Sequence, residues 1–317
     1  MFAVSLFFCL VQVDNNETAC NTLRRNFPQS KVFTMPLVTF LVKLKSGRIK
    51  IDLSRIVLIH GSPPCQAFSR VNTSGGSDDV MNAECTLEFL ELVKYVQPPL
   101  VTMENVLGIT DDTTVHGTDS TKSSYLKRVV SELVGVGYSV RLCKLTSSDY
   151  GDPTRRERIV LFAAKKGYKL PSCPAPTHGS ENSGLLPIVS CSDALNDLSE
   201  IQPVPDDGLV TLKDGCKVWG HFVERTELTE KHECYDRLKA NEPAITIRKN
   251  NQVKHYLLNR FITILERARL MSFPDDYVFE GSHQDVRDQI GNAVPVKLAE
   301  AIGRAVMESY RAGKHSS

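Results

Sequence analysis

The chain has 317 residues, 41% of them hydrophobic and 24% charged, the balance of an ordinary globular chain long enough for one large domain or two modest ones. Lys and Arg number 38 against 37 Asp and Glu, a formal charge of +1, which excludes a whole-molecule basic field for nucleic acid and leaves only local patches. Nineteen glycines are present but the first is Gly47, so no glycine-rich nucleotide loop can precede it. Nine cysteines form no C-x-x-C pair. An odd count in that arrangement argues against a disulfide framework and against a zinc or other metal site, and favours a reducing compartment with cysteines as core filler.

In chain order, Met1 to Val13 is apolar and lacks a basic leader or a cleavage site. It reads as a buried strand of a parallel sheet and is too short to span a membrane. Asn15 or Asn16 can cap a helix over Glu17–Phe27. Ile56–His60 reads as a strand, Glu84–Val96 as a helix, Leu100–Met103 as a strand and Ser123–Leu133 as a helix. Tyr138–Leu145 and Ile159–Ala163 read as strands. Strands alternating with helices of this length predict an α/β fold, a doubly wound, mostly parallel sheet covered on both faces.

The alternation stops near Pro171, and the chain to about Lys254 is rich in proline and loop residues. Helical pattern returns over Thr263–Met271 and Pro295–Tyr310, with Pro295 suited to a first turn and Leu298, Ile302 and Val306 on one face. The tail Gly313–Ser317 reads as disordered. This divides the chain into 1–170, a smaller loop-rich region 171–258, and 259–312. Charge is uneven too. Residues 78–119 carry nine acids and one Lys, 141–169 eight bases and three acids, and 237–269 eight bases and two acids. Two basic stretches flanking a loop-rich region can form a phosphate-binding wall, although solvated faces account for either alone.

Three short segments carry chemistry. In Gly61-Ser62-Pro63-Pro64-Cys65-Gln66, a thiol follows two prolines at the carboxyl end of a strand, where open α/β sheets place their ligands. Met103-Glu104-Asn105-Val106 puts a carboxylate at the end of the next strand. In Arg155-Arg156-Glu157-Arg158, Arg156 and Arg158 alternate with Glu157 and point to one sheet face. Each has a plain structural reading as a core cysteine, a capping glutamate or a charged edge. Together they suit attack on a pyrimidine. A thiolate adds to C6, a carboxyl group engages N3 and the exocyclic amine, and an arginine holds O2, so that C5 can accept a methyl group.

These motifs resemble the DNA cytosine-5 methyltransferases. Pro64-Cys65-Gln66, Glu104-Asn105-Val106 and Arg156-Glu157-Arg158 match in order, followed by Arg267-Ala268-Arg269-Leu270 with Phe273-Pro274-Asp275, and by Gly291-Asn292-Ala293-Val294-Pro295. The resemblance runs from about residue 13 to 310 and implies an S-adenosylmethionine-dependent, Rossmann-like domain. It implies Cys65 as nucleophile, Glu104 as the N3 partner, Arg158 as the O2 ligand and Arg156 in support. Pro64, Asn292 and Ala293 would line the cofactor pocket, Asp14 would hold its ribose, and Leu87 would touch its adenine. Residues 171–258 would be the target-recognition region, with Arg248, Lys249 and Lys254 as DNA contacts and a flipped cytosine as substrate. A monomer without membrane association is expected, in the nucleus if the source is eukaryotic and in the cytoplasm otherwise.

The family's glycine-rich turn after its first strand is absent, and the chain begins at what reads as the second strand. An interrupted sheet and weak S-adenosylmethionine binding are therefore expected. Lys31–Met35 stands where a Gly-Asp pair belongs, Thr154 replaces a glutamine, Leu265 an arginine, and Met271-Ser272 a Gln-Gly. The alternatives are a non-catalytic DNA-binding relative and, with less support, a tRNA cytosine methyltransferase, whose Cys-Phe-Thr is met here only by Cys234-Tyr235-Asp236. A zinc deaminase is disfavoured because its ligand motif is missing.

Overall fold

The computed structural model describes residues 10–63, 77–111, 125–198, 209–211, 217–219, 228, 233–249 and 251–314. Most of the predicted first strand lies outside them. Its described end is β1 (Val11–Asp14), which pairs in parallel with β2 (Lys31–Thr34). Between them runs α1 (Glu17–Asn26), where the Asn16 side chain accepts from Ala19 N at 2.8 Å. Glu17 in its first turn and Arg24 and Arg25 in its last complement the helix dipole. After β2 comes α2 (Leu37–Lys45), which buries Phe40, Leu41 and Leu44. Neither β2 nor α2 is predicted above. β2 has only four residues, too few for a periodicity to emerge.

The main sheet has the order β3-β4-β6-β5. Its elements are β3 (Leu58–Gly61), α3 (Ser77–Val96), β4 (Leu100–Asn105), α4 (Tyr125–Gly135), β5 (Tyr138–Thr146) and β6 (Glu157–Lys165). β3 and β4 are parallel, whereas β6 is antiparallel to both β4 and β5. Three strands thus share one direction and β6 opposes them. The reason is the connection 147–156 between β5 and β6, which carries only a 3-10 turn at Ser147–Tyr150 and no crossover helix.

Every residue of β4 is buried, because the sheet is covered on both faces. Side chains alternate between those faces. Val101, Met103, Leu161 and Ala163 pack with Phe89, Val93, Val129 and Leu133 of α3 and α4. Leu100, Val160, Phe162 and Ala164 pack with Leu298, Ile302 and Val306 of the C-terminal helix. That is the doubly wound arrangement. Among the described residues no ladder joins β1 to β3. Gln12 on β1 is 1% exposed, and neither amide atom finds a hydrogen-bond partner among the described residues.

The remaining helices are α5 (Cys191–Leu195), α6 (Ile264–Leu270), α7 (His283–Asn292) and α8 (Val296–Lys314). α6 opens on a capping box of Thr263 and Glu266, and α7 on one of Ser282 and Asp285. α7 is missed by the sequence reading, which gave no weight to a box closed by aspartate. Cys191, Leu195 and Leu198 share a core with Ile247, Val253, Leu270 and Ile290, so the loop-rich region packs directly on α6 and α7. Pro295 lies one residue ahead of α8, its carbonyl accepting from Ala299 N at 3.0 Å. α8 continues to Lys314, which corrects the disorder expected for Gly313 and Lys314.

Cysteine pairing also needs correction. Cys143 and Cys173 are disulfide-bonded, with Cα atoms 5.8 Å apart. Cys143 lies on β5, and the loop bearing Cys173 is drawn to it by two contacts. Arg141 Nη1 donates to Pro171 O at 2.5 Å, and Tyr150 Oη to Pro174 O at 2.9 Å. Nothing in a 30-residue spacing announces that approach. Cys20 and Cys191 are buried filler, as expected.

Asp152 ties the β5–β6 connection to α8. Its carboxyl accepts from Lys297 N at 3.1 Å and Leu298 N at 2.9 Å. Burial pushes Asp152 up to about 7, against the opposing influence of Ser272 and those amides. Between about pH 4 and pH 7 the folded chain therefore holds a proton that the unfolded chain has lost. The contribution is fully present below the unfolded value and is lost as pH rises, at roughly 1 kcal/mol per unit across that window. Asp152→Asn should flatten this slope, gaining stability relative to the parent between pH 5 and pH 8. Urea melts at the two pH values check it, and parallel curves would refute it.

Candidate active site

The three chemistry-bearing segments meet at one end of the main sheet because of strand register. Gly61 is paired with Met103, and Glu104 with Val160. Ser62 thus follows β3 alongside Glu104, and Arg158 lies two residues before Val160, on the face that Glu104 uses. β6 runs against β3 and β4, so its first residues lie at their carboxyl ends. That reversal lets Arg158 reach the carboxylate.

The Glu104 carboxylate is held from two sides. Arg158 Nε lies 2.5 Å from Oε1, and Ser62 Oγ donates to Oε2 at 2.5 Å. Both ion-pair side chains are under one-tenth exposed. A buried carboxylate needs this pairing, since isolation from water would cost several kcal/mol. Next to it, Asn105 Nδ2 donates to Pro63 O at 3.2 Å, while Asn105 Oδ1 accepts from Val106 N at 2.9 Å. The turn leaving β3 is thereby fastened to the end of β4 at two successive residues. Pro64 and Cys65 lie outside the described residues. Connectivity alone keeps the Cys65 Cα within about 11 Å of the Ser62 Cα. Gly61 is required where it stands, because a Cβ there would run into the Phe89 ring of α3.

His60 precedes this turn and bonds through Nδ1 to Thr102 Oγ1 at 2.8 Å. Burial pushes it down to about 4, with Glu104 acting in the opposite sense. It is a neutral scaffold group at neutral pH.

Arg156 is buried and has a different task from Arg158. Its Nη1 donates to Ile247 O at 2.7 Å and its Nη2 to Gly291 O at 2.8 Å. It links the loop-rich region to the Gly291-Asn292-Ala293 motif, so its support of the site is indirect. The same seam is stitched by Thr154, whose hydroxyl donates to Ile245 O at 3.2 Å, and by Arg155 N to Ala244 O at 2.8 Å. Ser147, unmarked in the sequence reading, is fully buried and donates to Thr154 O at 2.5 Å. A Cβ at Gly291 would strike the backbone of Lys249, so glycine is what permits the two segments to touch.

Of the DNA-contact candidates, Arg248 is exposed and Lys249 half-buried beside Gly291. Lys254 lies farther along, half-buried, with Nζ donating to Glu233 O at 3.4 Å. The segment ends against α6, where burial opposes ionisation of Glu266. Arg260, 2.7 Å away, more than offsets this and holds the carboxyl below its usual range.

The residues expected around S-adenosylmethionine are more scattered. Asp14 is exposed at the carboxyl end of β1, with Oδ1 accepting from Asn16 N at 2.8 Å. Asn292 is exposed at the end of α7, and Ala293 packs half-buried on the neighbouring core. Leu87 on α3 is half-buried against the Phe89 cluster. These groups fit part of a cradle, a carboxylate for a ribose and a polar edge. Among the described residues no glycine turn backs them where β1 and β3 part. Also among the described residues, no His, Cys, Asp and Glu group could hold a metal ion, and no helix is long and apolar enough to cross a membrane.

Comparison with known proteins identifies relatives over most of the chain. The chain is 29% identical over 319 residues to the Type II methyltransferase M1.HphI of Haemophilus parahaemolyticus, covering 95% of this chain and 81% of that one. It is 27% identical to the Type II methyltransferase M.DdeI of Desulfomicrobium norvegicum, covering 96% and 84%. Among solved structures, a prophage-encoded E. coli protein described as a DNA modification methyltransferase superposes with a TM-score of 0.74 at 22% identity, over 95% and 92% of the two chains. The S. pombe Dnmt2 methyltransferase superposes with a TM-score of 0.63 at 16% identity, over 95% and 91%. The family model for C-5 cytosine-specific DNA methylase matches residues 2–208 and 212–308; the chain belongs to that family and is a methyltransferase of cytosine C5 in DNA, with S-adenosylmethionine as the methyl donor.

Proposed function

We propose that the chain works through a covalent adduct of Cys65 with a cytosine flipped out of the duplex. The observation that carries this reading is the buried Glu104 carboxylate, held by Arg158 and Ser62 beside the turn that leads to Cys65. The thiolate of Cys65 attacks C6, forming the S–C6 bond while the C5=C6 electron pair moves into the ring. Glu104 accepts from the exocyclic amine and from N3 as N3 takes a proton from solvent, which neutralises the adduct as an enamine with C5 as its nucleophilic carbon; N3 gives that proton back when the ring is restored. Arg158 holds Glu104 and offers its remaining N–H groups to O2. S-adenosylmethionine, when bound, supplies an electrophilic methyl group to C5. The C5 proton then leaves to water, and the S–C6 bond breaks to restore the ring and the thiolate.

Asp14, Asn292 and Ala293 would hold the donor, with Pro64 and Leu87 beside it. Because no glycine precedes Gly47, no glycine-rich turn there can let the backbone approach the donor closely, and its affinity for this chain should be weaker than about 100 μM, a binding energy under roughly 5.5 kcal/mol. Calorimetric titration measures this directly, and a micromolar constant would remove the idea. Residues 171–258 serve as the target-recognition region, with Arg248, Lys249 and Lys254 against the DNA backbone or bases. The chain acts as a monomer. The sources of the two relatives compared above are bacterial and favour the cytoplasm over the nucleus.

The test of the whole reading is release of tritium from DNA carrying 5-tritiated cytosine. Addition of a thiolate to C6 makes C5 basic, and reprotonation there exchanges its hydrogen with water, so the donor is not needed. Release dependent on Cys65 is expected. DNA binding without any release would favour the non-catalytic relative instead.

A further inference from the structure

We propose that Ser62 is the positioning residue that sets the plane of the Glu104 carboxylate and couples it to the nucleophile-bearing turn. The inference deepens the reading above and rests on it for its catalytic consequence. The terminal torsion of a glutamate is broad and roughly two-fold, so one anchored oxygen leaves the carboxylate plane free to turn. The Arg158 contact falls on Oε1. Ser62 Oγ, at 2.5 Å, takes Oε2, and with both oxygens engaged the plane is fixed. Asn105 Nδ2 on Pro63 O, at 3.2 Å, prevents the same turn from swinging away.

The placement matters because two groups must meet one ring. The sulfur of Cys65 must approach C6 from above the ring plane, while Glu104 must lie in that plane to reach N3 and the amine. A carboxylate turned out of plane would still bind the base but would no longer hold the protonated N3 of the C6 adduct, and C5 would not gain its enamine character. Ser62 is three residues from Cys65 in sequence, so its hydroxyl ties the acceptor to the segment that leads to the nucleophile.

The experiment uses the full chain and the tritium-release assay on 5-tritiated cytosine DNA. Ser62→Ala should lower the maximal release rate about tenfold, the loss expected for one hydrogen bond to a charged group, with the DNA concentration at half-maximal rate unchanged. Ser62→Thr, which keeps the hydroxyl, should restore most of that rate. A parallel double-mutant cycle, Ser62→Ala with Glu104→Gln, reads the unfolding equilibrium and needs no turnover. There the two substitutions should be coupled by about fivefold. Additive effects in the cycle, or an unchanged release rate in Ser62→Ala, would overturn the assignment. Release that persists in Cys65→Ala would instead refute the covalent reading, while the cycle still decides the role of Ser62.

Discussion

Replacing Cys65 with alanine should lower both methyl transfer and tritium release by at least about 10⁴-fold, to the background of the assay, as removal of a nucleophile does elsewhere. Without the thiol the S–C6 bond cannot form. C5 of cytosine, an aromatic carbon with little nucleophilic character, then has no route to a methyl group. Thermal melting within a degree or two of the parent, together with unchanged DNA affinity, would locate the loss in the chemical step. Retained turnover would refute the assignment outright. Cys65→Ser offers a graded control, since a hydroxyl ionises far less readily than a thiol and should remain near the alanine level.

Arg158→Met should destabilise the protein by about 3–5 kcal/mol and abolish detectable turnover, because it strands a buried carboxylate. The Arg158 Nε–Glu104 Oε1 contact is 2.5 Å, and the two side chains are 8% and 5% exposed. Ser62 alone cannot compensate a full negative charge taken out of water. Glu104→Gln should strand the guanidinium in the same way. The double variant, Arg158→Met with Glu104→Gln, removes both charges and should recover to within about 1–2 kcal/mol of the parent, as uncharged replacements of buried pairs often do. It should stay inactive. Urea denaturation of the four proteins checks the stability pattern, and the methyl-transfer assay checks the activity. If the single variant melted like the parent, the pair would be a surface contact rather than the centre of the site.

Arg156 shows why those two arginines cannot be treated as one motif. They are two residues apart and both buried. Only Arg158 meets the carboxylate; Arg156 is spent on the carbonyls of Ile247 and Gly291, 91 and 135 residues away in sequence. Alternation along a strand indicates a shared side of the sheet but not the partner waiting there. The same limit explains Ser147 and Asp152. Each is a common polar residue in an unremarkable run, and each takes its importance from a segment that the fold delivers.

The legible features were local ones. The Asn16 cap, the Thr263 start of α6 and the apolar stripe of α8 follow from short-range hydrogen bonding and a 3.6-residue period, which neighbours in sequence are enough to specify. β4 and β6 were visible because strands buried on both faces leave continuous apolar runs. β2, only four residues long, offered no such run. α7 is mostly polar and marked chiefly by its capping box. The Cys143–Cys173 bond depends on a loop folding back over β5.

The family, the alternation of strands and helices, and the order of Cys65, Glu104 and the two arginines are all readable in the sequence. Those are properties of residue type and spacing, and they survive without coordinates. Only the tertiary structure shows which oxygen of Glu104 meets which donor, and that β6 reverses to bring Arg158 to the carboxyl ends of β3 and β4. These depend on strand register and direction, set by packing and connection length across the whole chain, and no short window of residues contains them.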